Sequence, residues 1–251
     1  MLSVIVITKN EQDRIERCLK SVEQIADEII VLDSGSTDDT VDIVRKFTEK
    51  VYVTDWPGYG PQKQRALEIA KGEWVLSLDA DEALTPELAD EIKNVLFDVK
   101  PDIVAYSMSR KMVVFGERLD YGRSTNFIER LFRREGARFS DDLVHEKVLL
   151  PQGKTAKLKA DFLHYSVRDF QHLLDKTTLY ACLGADKKYK KGRHGGGIFI
   201  AALRAIWAFC HVYLLRLGFL DGGRGFFLAV IHMQYTFNKY AGLWAKHIEN
   251  N

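Results

Sequence analysis

Two aspartates one residue apart, Asp79 and Asp81, are the side chains of this sequence best placed to do chemistry. They follow an apolar run, residues 74–78, whose composition predicts a buried strand. Carboxylates on a turn that leaves such a strand can converge on a hard divalent cation, which prefers oxygen ligands. A cation held there can bind a diphosphate and neutralise its charge as it leaves. The alternative is a solvated acidic turn, and the strand before the pair favours a metal site.

A second polar group ends an earlier predicted strand, residues 28–32. It contains Asp33 and Asp38, separated by Ser, Gly, Ser and Thr. The two carboxylates could hydrogen-bond the base and ribose of a nucleotide. Asp38 could equally cap the helix that follows, and the two roles are compatible.

The elements around these residues alternate between strand and helix. Strands are predicted at residues 3–7, 28–32, 51–53 and 74–78, and helices on the apolar stripes 15–25, 41–47 and 66–70. Residues 56–61 are predicted as a loop, and Thr85 and Pro86 as the start of a further helix. The alternation predicts an α/β fold with a doubly wound, mostly parallel sheet and flanking helices. Ligands of such sheets bind beyond the carboxyl ends of the strands.

The rhythm becomes less regular from about residue 103 to 165, with strand-like runs at 103–107, 111–115 and 130–133. A helical segment is predicted to resume near Val167. No G-x-G-x-x-G motif follows the first strand, which argues against a dinucleotide-dependent dehydrogenase.

Four short blocks, in this order and spacing, resemble the family 2 glycosyltransferases of the GT-A fold. They are V-I-V-I-T-K-N-E at 4–11, D-S-G-S-T-D at 33–38, K-Q-x-A at 63–66 with A-x-G at 70–72, and L-D-A-D at 78–81. The pattern of the whole chain is most similar to lipopolysaccharide inner-core heptose β-1,4-glucosyltransferases. The resemblance implies a UDP-sugar donor (UDP-glucose in that subgroup), Mn²⁺ or Mg²⁺, and inversion at the anomeric carbon.

The resemblance also implies roles for individual residues. Asp33 would contact uracil, Asp38 would lie near the ribose, and Lys63, where the family often has Arg, would lie near the nucleotide or its phosphates. Asp81 would bind the metal directly, and Asp79 would support it through ribose or water. The remaining donor-binding positions implied are Thr8, Asn10, Glu11 and Ala80. Gln64 stands where Asn is common in the family, a departure that weakens any role for it.

An inverting transfer needs a base that takes the proton of the attacking hydroxyl. The family's Q-x-x-R-W pattern is missing, and the candidate bases are Glu146, which we favour, and the alternatives Asp142 and Asp141. His145 and His164 could reach the metal or the leaving phosphate, or could simply be packed or capping residues. The arginines at 130, 133, 134 and 138 could hold an anionic acceptor or form a solvated face.

Charge divides the chain into an acidic and a basic part. Residues 1–150 contain 21 Lys and Arg against 29 Asp and Glu, whereas residues 151–251 contain 15 against 6. We therefore predict a catalytic domain at 1–165, with a nucleotide-sugar half at about 1–100 and an acceptor half at about 101–165. Residues 166–251 are predicted to form a helical, basic and apolar extension that associates with a membrane.

The extension combines a basic cluster at 187–193 with an apolar run at 198–220 and an aromatic stretch at 226–244. Arg204 and Arg216 interrupt the apolar run, so we expect a helix lying in an anionic membrane interface rather than spanning it. The alternatives are packing on the catalytic domain or dimer formation. The basic residues precede apolar runs instead of interleaving with exposed aromatics, so no nucleic-acid partner is expected.

The N-terminus lacks the pattern of a signal peptide, and the three cysteines form no C-x-x-C pair. Together these features predict a cytoplasmic protein, peripheral on the inner face of a bacterial plasma membrane, with a glycolipid or lipopolysaccharide-core acceptor. The alternative from another class is a non-catalytic nucleotide-sugar- or membrane-binding protein on the same fold.

Overall fold

The computed structural model describes residues 1–122, 125–140 and 147–249, and the chain divides into two compact units. The first unit comprises Met1–Lys111 and Asn126–Tyr165, and the second comprises Met112–Thr125 and Ser166–Asn251. Met112–Thr125, which lie within the predicted acceptor half at about 101–165, belong to the second unit. The roles assigned to the predicted domains stay predictions.

The first unit is built on a sheet with helices on both faces. Its elements are β1 (Leu2–Thr8), α1 (Ile15–Lys20), β2 (Glu28–Asp33), α2 (Thr40–Val44), β3 (Val51–Val53), α3 (Tyr59–Ile69), β4 (Trp74–Asp79), β5 (Glu82–Leu84), α4 (Pro86–Phe97), β6 (Ile103–Val114), β8 (Thr125–Arg133), β9 (Arg138–Phe139), β10 (Val148–Leu149) and β11 (Lys154–His164). The main sheet has the strand order β3-β2-β1-β4-β8-β6-β11-β5, and β9 and β10 form a separate antiparallel pair. This arrangement confirms the predicted α/β class.

The parallel part of the sheet consists of β3, β2, β1 and β4. These strands are joined by helices or helical turns, as parallel connections require. Beyond them β8 pairs antiparallel with β4, and β5 pairs antiparallel with β11. The sheet is therefore mixed, and its parallel region is confined to the part of the chain where strands and helices alternate.

Alternate residues of the buried strands pack on opposite faces, as the strand period dictates. One face, with Val4, Val6 and Leu76, packs against apolar residues of α1 and α4. The other face, with Ile5 and Val75, packs against α3. Because β1, β2 and β4 are covered on both faces, their sequences read as continuous apolar runs.

Three local predictions need correction. Residues 59–61 were predicted as loop but form the first turn of α3, where a proline is tolerated because the first amides of a helix have no internal partner. The helix predicted over 15–25 ends at Lys20 and continues as turns, and the two strand-like runs after residue 103 form one strand. The start of α4 is confirmed, with the Thr85 hydroxyl accepting a hydrogen bond from the Leu88 amide at 3.2 Å.

The second unit is helical. It contains the short strand β7 (Glu117–Arg118), which pairs with the end of β6, and α5 (Phe170–Lys190), α6 (Ile198–Cys210), a π-helical turn (His211–Leu215), a 3₁₀ turn (Gly218–Asp221) and α7 (Gly222–Glu249). The Asp221 carboxylate accepts the amides of Asp120 and Tyr121, each at 3.0 Å, and ties the β7 hairpin to the start of α7. A Cβ on Gly225 would lie 1.8 Å from the carbonyl oxygen of Gly218, so only glycine permits this approach.

One stretch of the described residues, Ile198–Leu215, has the length and composition of a membrane-crossing helix, with a mean hydropathy of 1.9. Only 22% of this stretch is buried. Most of its residues therefore lie outside the unit's own core.

Candidate functional site

The carboxyl ends of three neighbouring parallel strands bring the predicted polar residues to one edge of the sheet. In the strand register Thr8 of β1 lies beside Asp33 of β2, and Ile7 lies beside Asp79 of β4. The loop after β1, the loop after β2 and the turn after β4 therefore share this edge. It is the edge at which α/β sheets bind their ligands.

The loop after β2 is organised by the buried Asp33 carboxylate. Its Oδ2 accepts the amides of Gly35 at 2.9 Å and Ser36 at 2.7 Å, while Oδ1 accepts the Ser36 hydroxyl. Gly35 has a φ of 78°, which glycine adopts without strain. Both oxygens of Asp33 thus hold the loop itself, Oδ2 through two backbone amides and Oδ1 through the Ser36 hydroxyl. The predicted contact with uracil stays a prediction.

Asn10 joins the loop after β1 to the loop after β2. Its amide donates to the Ser36 hydroxyl at 2.8 Å, and its side-chain oxygen accepts the Thr37 amide at 2.8 Å. Asn10 has a φ of 54°, a left-handed conformation that asparagine tolerates better than most residues. Its predicted role in donor binding is untested, but its position fixes the distance between the two loops.

The Asp38 side chain binds the first residue of α2, whereas the N-cap position itself is Asp39 and makes no side-chain capping bond. Asp38 Oδ1 accepts the Thr40 amide at 3.1 Å and the Thr40 hydroxyl at 2.5 Å. The Thr40 hydroxyl in turn accepts the Glu11 amide at 2.8 Å. Burial alone would raise the pKa of Asp38, but these hydrogen bonds hold it below its usual value.

Asp79 is held between two buried cations. Lys63 Nζ lies 2.8 Å from Oδ1, and Arg130 Nη2 lies 2.6 Å from Oδ2. Lys63 is 1% exposed and Arg130 is 7% exposed, so each charge is compensated inside the protein. Burial alone would raise the pKa of Asp79, but Arg130 and Lys63 outweigh it and lower that pKa well below its ordinary value. Asp79 is therefore an anion whose position is fixed from both sides.

Glu82 completes this charge cluster from beneath the turn. Its Oε1 lies 2.6 Å from Arg130 Nη2, and its Oε2 accepts the Asp79 amide at 3.0 Å. Glu82 is 1% exposed, and burial raises its pKa although Arg130 opposes the shift. Through these two contacts Glu82 fixes both the backbone of the Asp79–Asp81 turn and the arginine that holds Asp79.

Asp81 has a different environment. Its Oδ2 lies 3.2 Å from His164 Nε2 and 3.8 Å from Arg14 Nη1. Within the described residues both side-chain contacts of Asp81 fall on Oδ2, and Oδ1 has no protein partner. Burial would raise the pKa of Asp81, but the hydrogen bond and charge of His164 outweigh it and lower it. The Asp81 side chain is 18% exposed and that of His164 is 17% exposed, so a ligand can reach both.

The Arg14 guanidinium is held in place by the Glu11 carboxylate and the Tyr165 carbonyl. Its Nε donates to Glu11 Oε2 at 2.6 Å, and its Nη1 donates to the Tyr165 carbonyl at 3.1 Å. The Tyr165 amide donates to the Asp81 carbonyl at 2.8 Å. Arg14 thus links the predicted donor-binding residue Glu11 to Asp81, the candidate metal ligand.

A cavity of about 500 Å³ opens on the side of the sheet that carries Lys63. Its wall includes the side chains of Lys63, Ser77, Arg130, Phe139 and Lys147. Gln64 lies outside this wall, and its side-chain oxygen accepts the Phe139 amide at 2.9 Å. Gln64, which stands where the family commonly has Asn, therefore makes a structural contact.

The remaining predicted site residues are either buried at the edge of the site or lie outside the described residues. Thr8 and Ala80 are buried at the site edge, 4% and 5% exposed. The candidate bases Glu146, Asp142 and Asp141, together with His145, lie outside the described residues. Among residues 1–122, 125–140 and 147–249, no three His, Cys, Asp or Glu side chains are grouped closely enough to hold an ion alone.

The interpretation of Arg130 as part of a solvated face is wrong, whereas a role in acceptor binding stays a prediction. It is buried and binds Asp79 and Glu82. Two of its neighbours are also engaged, since Arg133 pairs with Glu73 and Arg134 donates to the Gly72 carbonyl at 3.0 Å. Arg14 and Glu82 were not singled out from the sequence. Glu82 stands in the D-A-D-E run at 79–82, and so many carboxylates in one turn indicate that a cation from elsewhere in the chain pairs with them.

Comparison with known proteins gives a consistent set of relatives. Residues 3–148 match the model of glycosyl transferase family 2. An uncharacterised glycosyltransferase of Rickettsia typhi is 33% identical over 96% of this chain and 86% of its own length. The lipopolysaccharide core biosynthesis glycosyltransferase LpsC of Rhizobium meliloti is 28% identical over 98% of this chain and 93% of its own.

A solved structure of glucosyl-3-phosphoglycerate synthase from Mycobacterium tuberculosis, in complex with Mn²⁺, UDP and glucosyl-3-phosphoglycerate, is also similar. It covers 54% of this chain and 57% of its own, with 23% identity and a TM-score of 0.41.

Proposed function

Because the chain belongs to glycosyl transferase family 2, we propose that it moves glucose from UDP-glucose, with inversion, to a lipopolysaccharide-core or other membrane-anchored glycan. The observation that carries this proposal is the pairing of Asp81 with His164 beside a fixed Asp79. The similarity to LpsC over nearly the whole chain supports a glycan acceptor of the lipopolysaccharide class.

The residues at the end of β4 fit a divalent metal. Carboxylate and imidazole are both ligands of Mn²⁺, and Asp81 Oδ1 has no partner among the described residues. Mg²⁺ and Mn²⁺ sites of nucleotide enzymes take one or two protein ligands and fill the remaining positions with phosphate and water. We assign Asp81 and His164 as the two protein ligands, and the bound ion would neutralise charge on the departing diphosphate.

Asp79, Lys63 and Arg130 act as one unit in this proposal. The two cations fix the orientation of Asp79, which we assign to the ribose of the donor, while Asp33 is assigned to uracil. Thr8, Asn10, Glu11, Asp38 and Ala80 shape the loops around the nucleotide. Preorganised polar groups of this kind need no rearrangement when the donor binds.

The acceptor hydroxyl loses its proton when it attacks the anomeric carbon, and one carboxylate has to take that proton. Glu146 is our first candidate, with Asp142 and Asp141 as alternatives. Each would lie on the acceptor side of the anomeric carbon, opposite the departing diphosphate. That geometry would convert an α-linked donor into a β-linked product.

We further propose that the helices of the second unit hold the enzyme peripherally on the cytoplasmic face of the plasma membrane. The exposed apolar stretch Ile198–Leu215 supports this assignment. A lipid-anchored acceptor can be reached only at the bilayer. In this proposal the enzyme therefore binds the membrane surface as its partner, and it binds no nucleic acid.

The test is hydrolysis of a panel of UDP-sugars with Mn²⁺ by the wild type and by the isosteric variant Asp81→Asn. We expect metal-dependent turnover of UDP-glucose that falls more than about 100-fold in the variant, because changes in groups that only support a metal ligand already cost about 10–100-fold. Asp90→Asn, an exposed carboxylate on α4, is the matched control and should leave turnover unchanged.

Further variants and outcomes sharpen this test. His164→Gln should raise the Mn²⁺ concentration needed for half-maximal turnover, since one of two protein ligands is lost. Turnover of a different UDP-sugar would correct the donor and keep the reaction class. No turnover and no UDP binding by the wild type would overturn the catalytic proposal and leave a non-catalytic membrane-binding protein.

A further inference from the structure

The helix α6 turns its large apolar side chains outward. Phe199 is 83% exposed, Leu203 61% and Trp207 63%. The buried positions of the same helix are small, namely Ala201, Ala205 and Ala208. Because residues four apart share a helix face, α6 presents one broad apolar face away from the unit and packs its alanine face against α7. An outward face of this kind marks an interaction surface.

A cluster of three cations lies on the same unit and comes from three different helices. Lys188 of α5, Arg204 of α6 and Lys239 of α7 lie 5.2, 4.2 and 5.4 Å from the ring centre of Tyr240. Among the described residues, none of the three forms an ion pair with a carboxylate. Three like charges that share one ring repel each other and are stabilised by an anion.

Tyr240 reports the strength of this positive field. Burial alone would raise the pKa of its phenol, but Lys188, Arg204 and Lys239 outweigh burial and lower it. The ring itself attracts the cations and holds them together through its π face. The cluster is thus maintained by the fold although no carboxylate of the described residues pairs with it.

The apolar face and the cation cluster adjoin on α6. Arg204 directly follows Leu203 and precedes Trp207 by one turn, so the charge emerges beside the exposed apolar residues. A surface that offers large apolar side chains next to unneutralised cations matches the chemistry of a lipid interface, in which acyl chains lie next to phosphates.

We propose that the outward face of α6 and the Lys188–Arg204–Lys239 cluster form one docking surface for an anionic phospholipid bilayer. The apolar side chains enter the boundary between headgroups and acyl chains, and the three cations bind lipid phosphates. The surface deepens the membrane association proposed above, and it assigns that association to particular residues. Its helix lies along the bilayer instead of crossing it.

The orientation follows from the same contacts. Arg204 lies in the middle of the stretch Ile198–Leu215, where a crossing helix would place it in the hydrocarbon. A charge there is costly unless it is paired, and its neighbours Lys188 and Lys239 would add two more like charges at the same depth. A helix in the interface keeps all three cations at the headgroups.

Sedimentation with vesicles tests the proposal without any sugar donor, so that its failure is separate from a failure of sugar transfer. Full-length protein is mixed with phosphatidylcholine vesicles, alone or with an equal amount of phosphatidylglycerol. We expect strong binding to the anionic vesicles only. The triple variant K188Q/R204Q/K239Q should bind them on the order of 100-fold more weakly, since each basic residue near anionic lipid contributes about fivefold.

The matched control removes three exposed lysines of the first unit, K46Q/K93Q/K100Q, and should reduce binding far less. The variant F199S/L203S/W207S should lose binding to anionic vesicles although its charges are intact. Circular dichroism checks that each variant keeps its helices, and a variant that fails this check is replaced by the single substitutions R204Q and W207S.

Three results would overturn the proposal. The first is equal loss of binding in the cluster variant and the control, which would mean that net charge alone draws the protein to lipid. The second is unchanged binding when the apolar face is made polar. The third is a wild type that dimerises without binding vesicles and becomes monomeric in F199S/L203S/W207S, which would assign the face to a second copy of the chain.

Discussion

The parallel strands β1, β2 and β4 carry carboxylates at both ends, and the carboxylates at the two ends have different partners. At the amino end, Glu28 accepts the Ser3 hydroxyl at 2.5 Å and the Lys71 amide at 2.7 Å, and pairs with Lys50. At the carboxyl end, Asp79 is held by Lys63 and Arg130, while Asp81 keeps one oxygen without a protein partner in the described chain. The first arrangement is closed, and the second is open to a ligand.

The difference teaches how to separate a structural carboxylate from a functional one. Glu28 is satisfied by a hydroxyl and a backbone amide in addition to one half-exposed lysine. Asp79 and Glu82 are instead paired with the buried cations Lys63 and Arg130, so the carboxyl end contains a cluster of four charged side chains. A cluster of buried charges is weak evidence for stability, but it preorganises polar groups for a charged ligand.

The largest expected effect on stability comes from removing one cation at each end. Arg130→Met leaves the buried Glu82 and the neighbouring Asp79 without their shared partner, and should lower the free energy of unfolding by about 3–5 kcal/mol. Lys50→Met should cost about 1 kcal/mol or less, because Lys50 is half exposed and Glu28 keeps its other two hydrogen bonds. Urea unfolding at pH 7 measures both, and equal losses would contradict the distinction between the ends.

The next effect is the pH dependence of the amino end. Burial alone would raise the pKa of Glu28, but Lys50, Ser3 and the Lys71 amide outweigh it and lower that pKa to about 2. A lowered pKa stabilises the folded state above the unfolded value near 4.5, and this contribution is lost as the pH falls towards 2. It amounts to on the order of 3 kcal/mol for a shift of this size.

Glu28→Gln should therefore lower the free energy of unfolding at pH 7 by about this contribution. The variant should also lose less stability than the wild type when the pH falls from 5 to 2. The exposed neighbour Glu49→Gln is the matched control and should leave the acid profile unchanged. Urea titrations across this pH range provide the measurement. An unchanged profile in Glu28→Gln would place the acid sensitivity elsewhere in the protein.

The sequence predicted the strands of the parallel region well for a physical reason. Runs such as residues 3–7 and 74–78 are buried on both faces, and a continuous apolar sequence of this length predicts such a buried strand. The polar residues at the ends of these strands follow by geometry, since parallel strands present their carboxyl ends at one edge. The position of Asp33 and Asp79 beside β1 needed no information beyond the order of the elements.

The partners of those residues were not predictable in the same way. Arg130 reaches Asp79 from β8, 51 residues later in the chain, and nothing in its surroundings separates it from Arg133 and Arg134. His164 meets Asp81 only because β11 pairs with β5, a contact that an irregular stretch of sequence does not reveal. Local patterns identify the strand that carries a site, whereas long-range pairing decides which cation or imidazole completes it.

The smallest expected effects compare a glycine from each end. Gly72 lies at the amino end, where its amide donates to the Ser3 hydroxyl at 2.7 Å, and an added Cβ would lie 2.7 Å from the Ser3 backbone nitrogen and 2.9 Å from the Met1 carbonyl oxygen. Gly72→Ala should cost about 1–3 kcal/mol, because backbone atoms have to move. Gly35 at the carboxyl end has open space around it but a φ of 78°, so Gly35→Ala should cost only about 1 kcal/mol.

Thermal and urea unfolding of the two glycine variants, with UDP binding measured in parallel, would complete the comparison. Gly72→Ala should lose stability while its affinity for UDP is retained, because it lies at the closed end. Gly35→Ala should lose less stability but more affinity, since Gly35 shapes the loop that Asp33 holds. If Gly72→Ala instead weakened UDP binding more than Gly35→Ala, the two ends would not be separable into a structural and a ligand-binding end. The open carboxylate of Asp81 would then owe its position to the amino end as well.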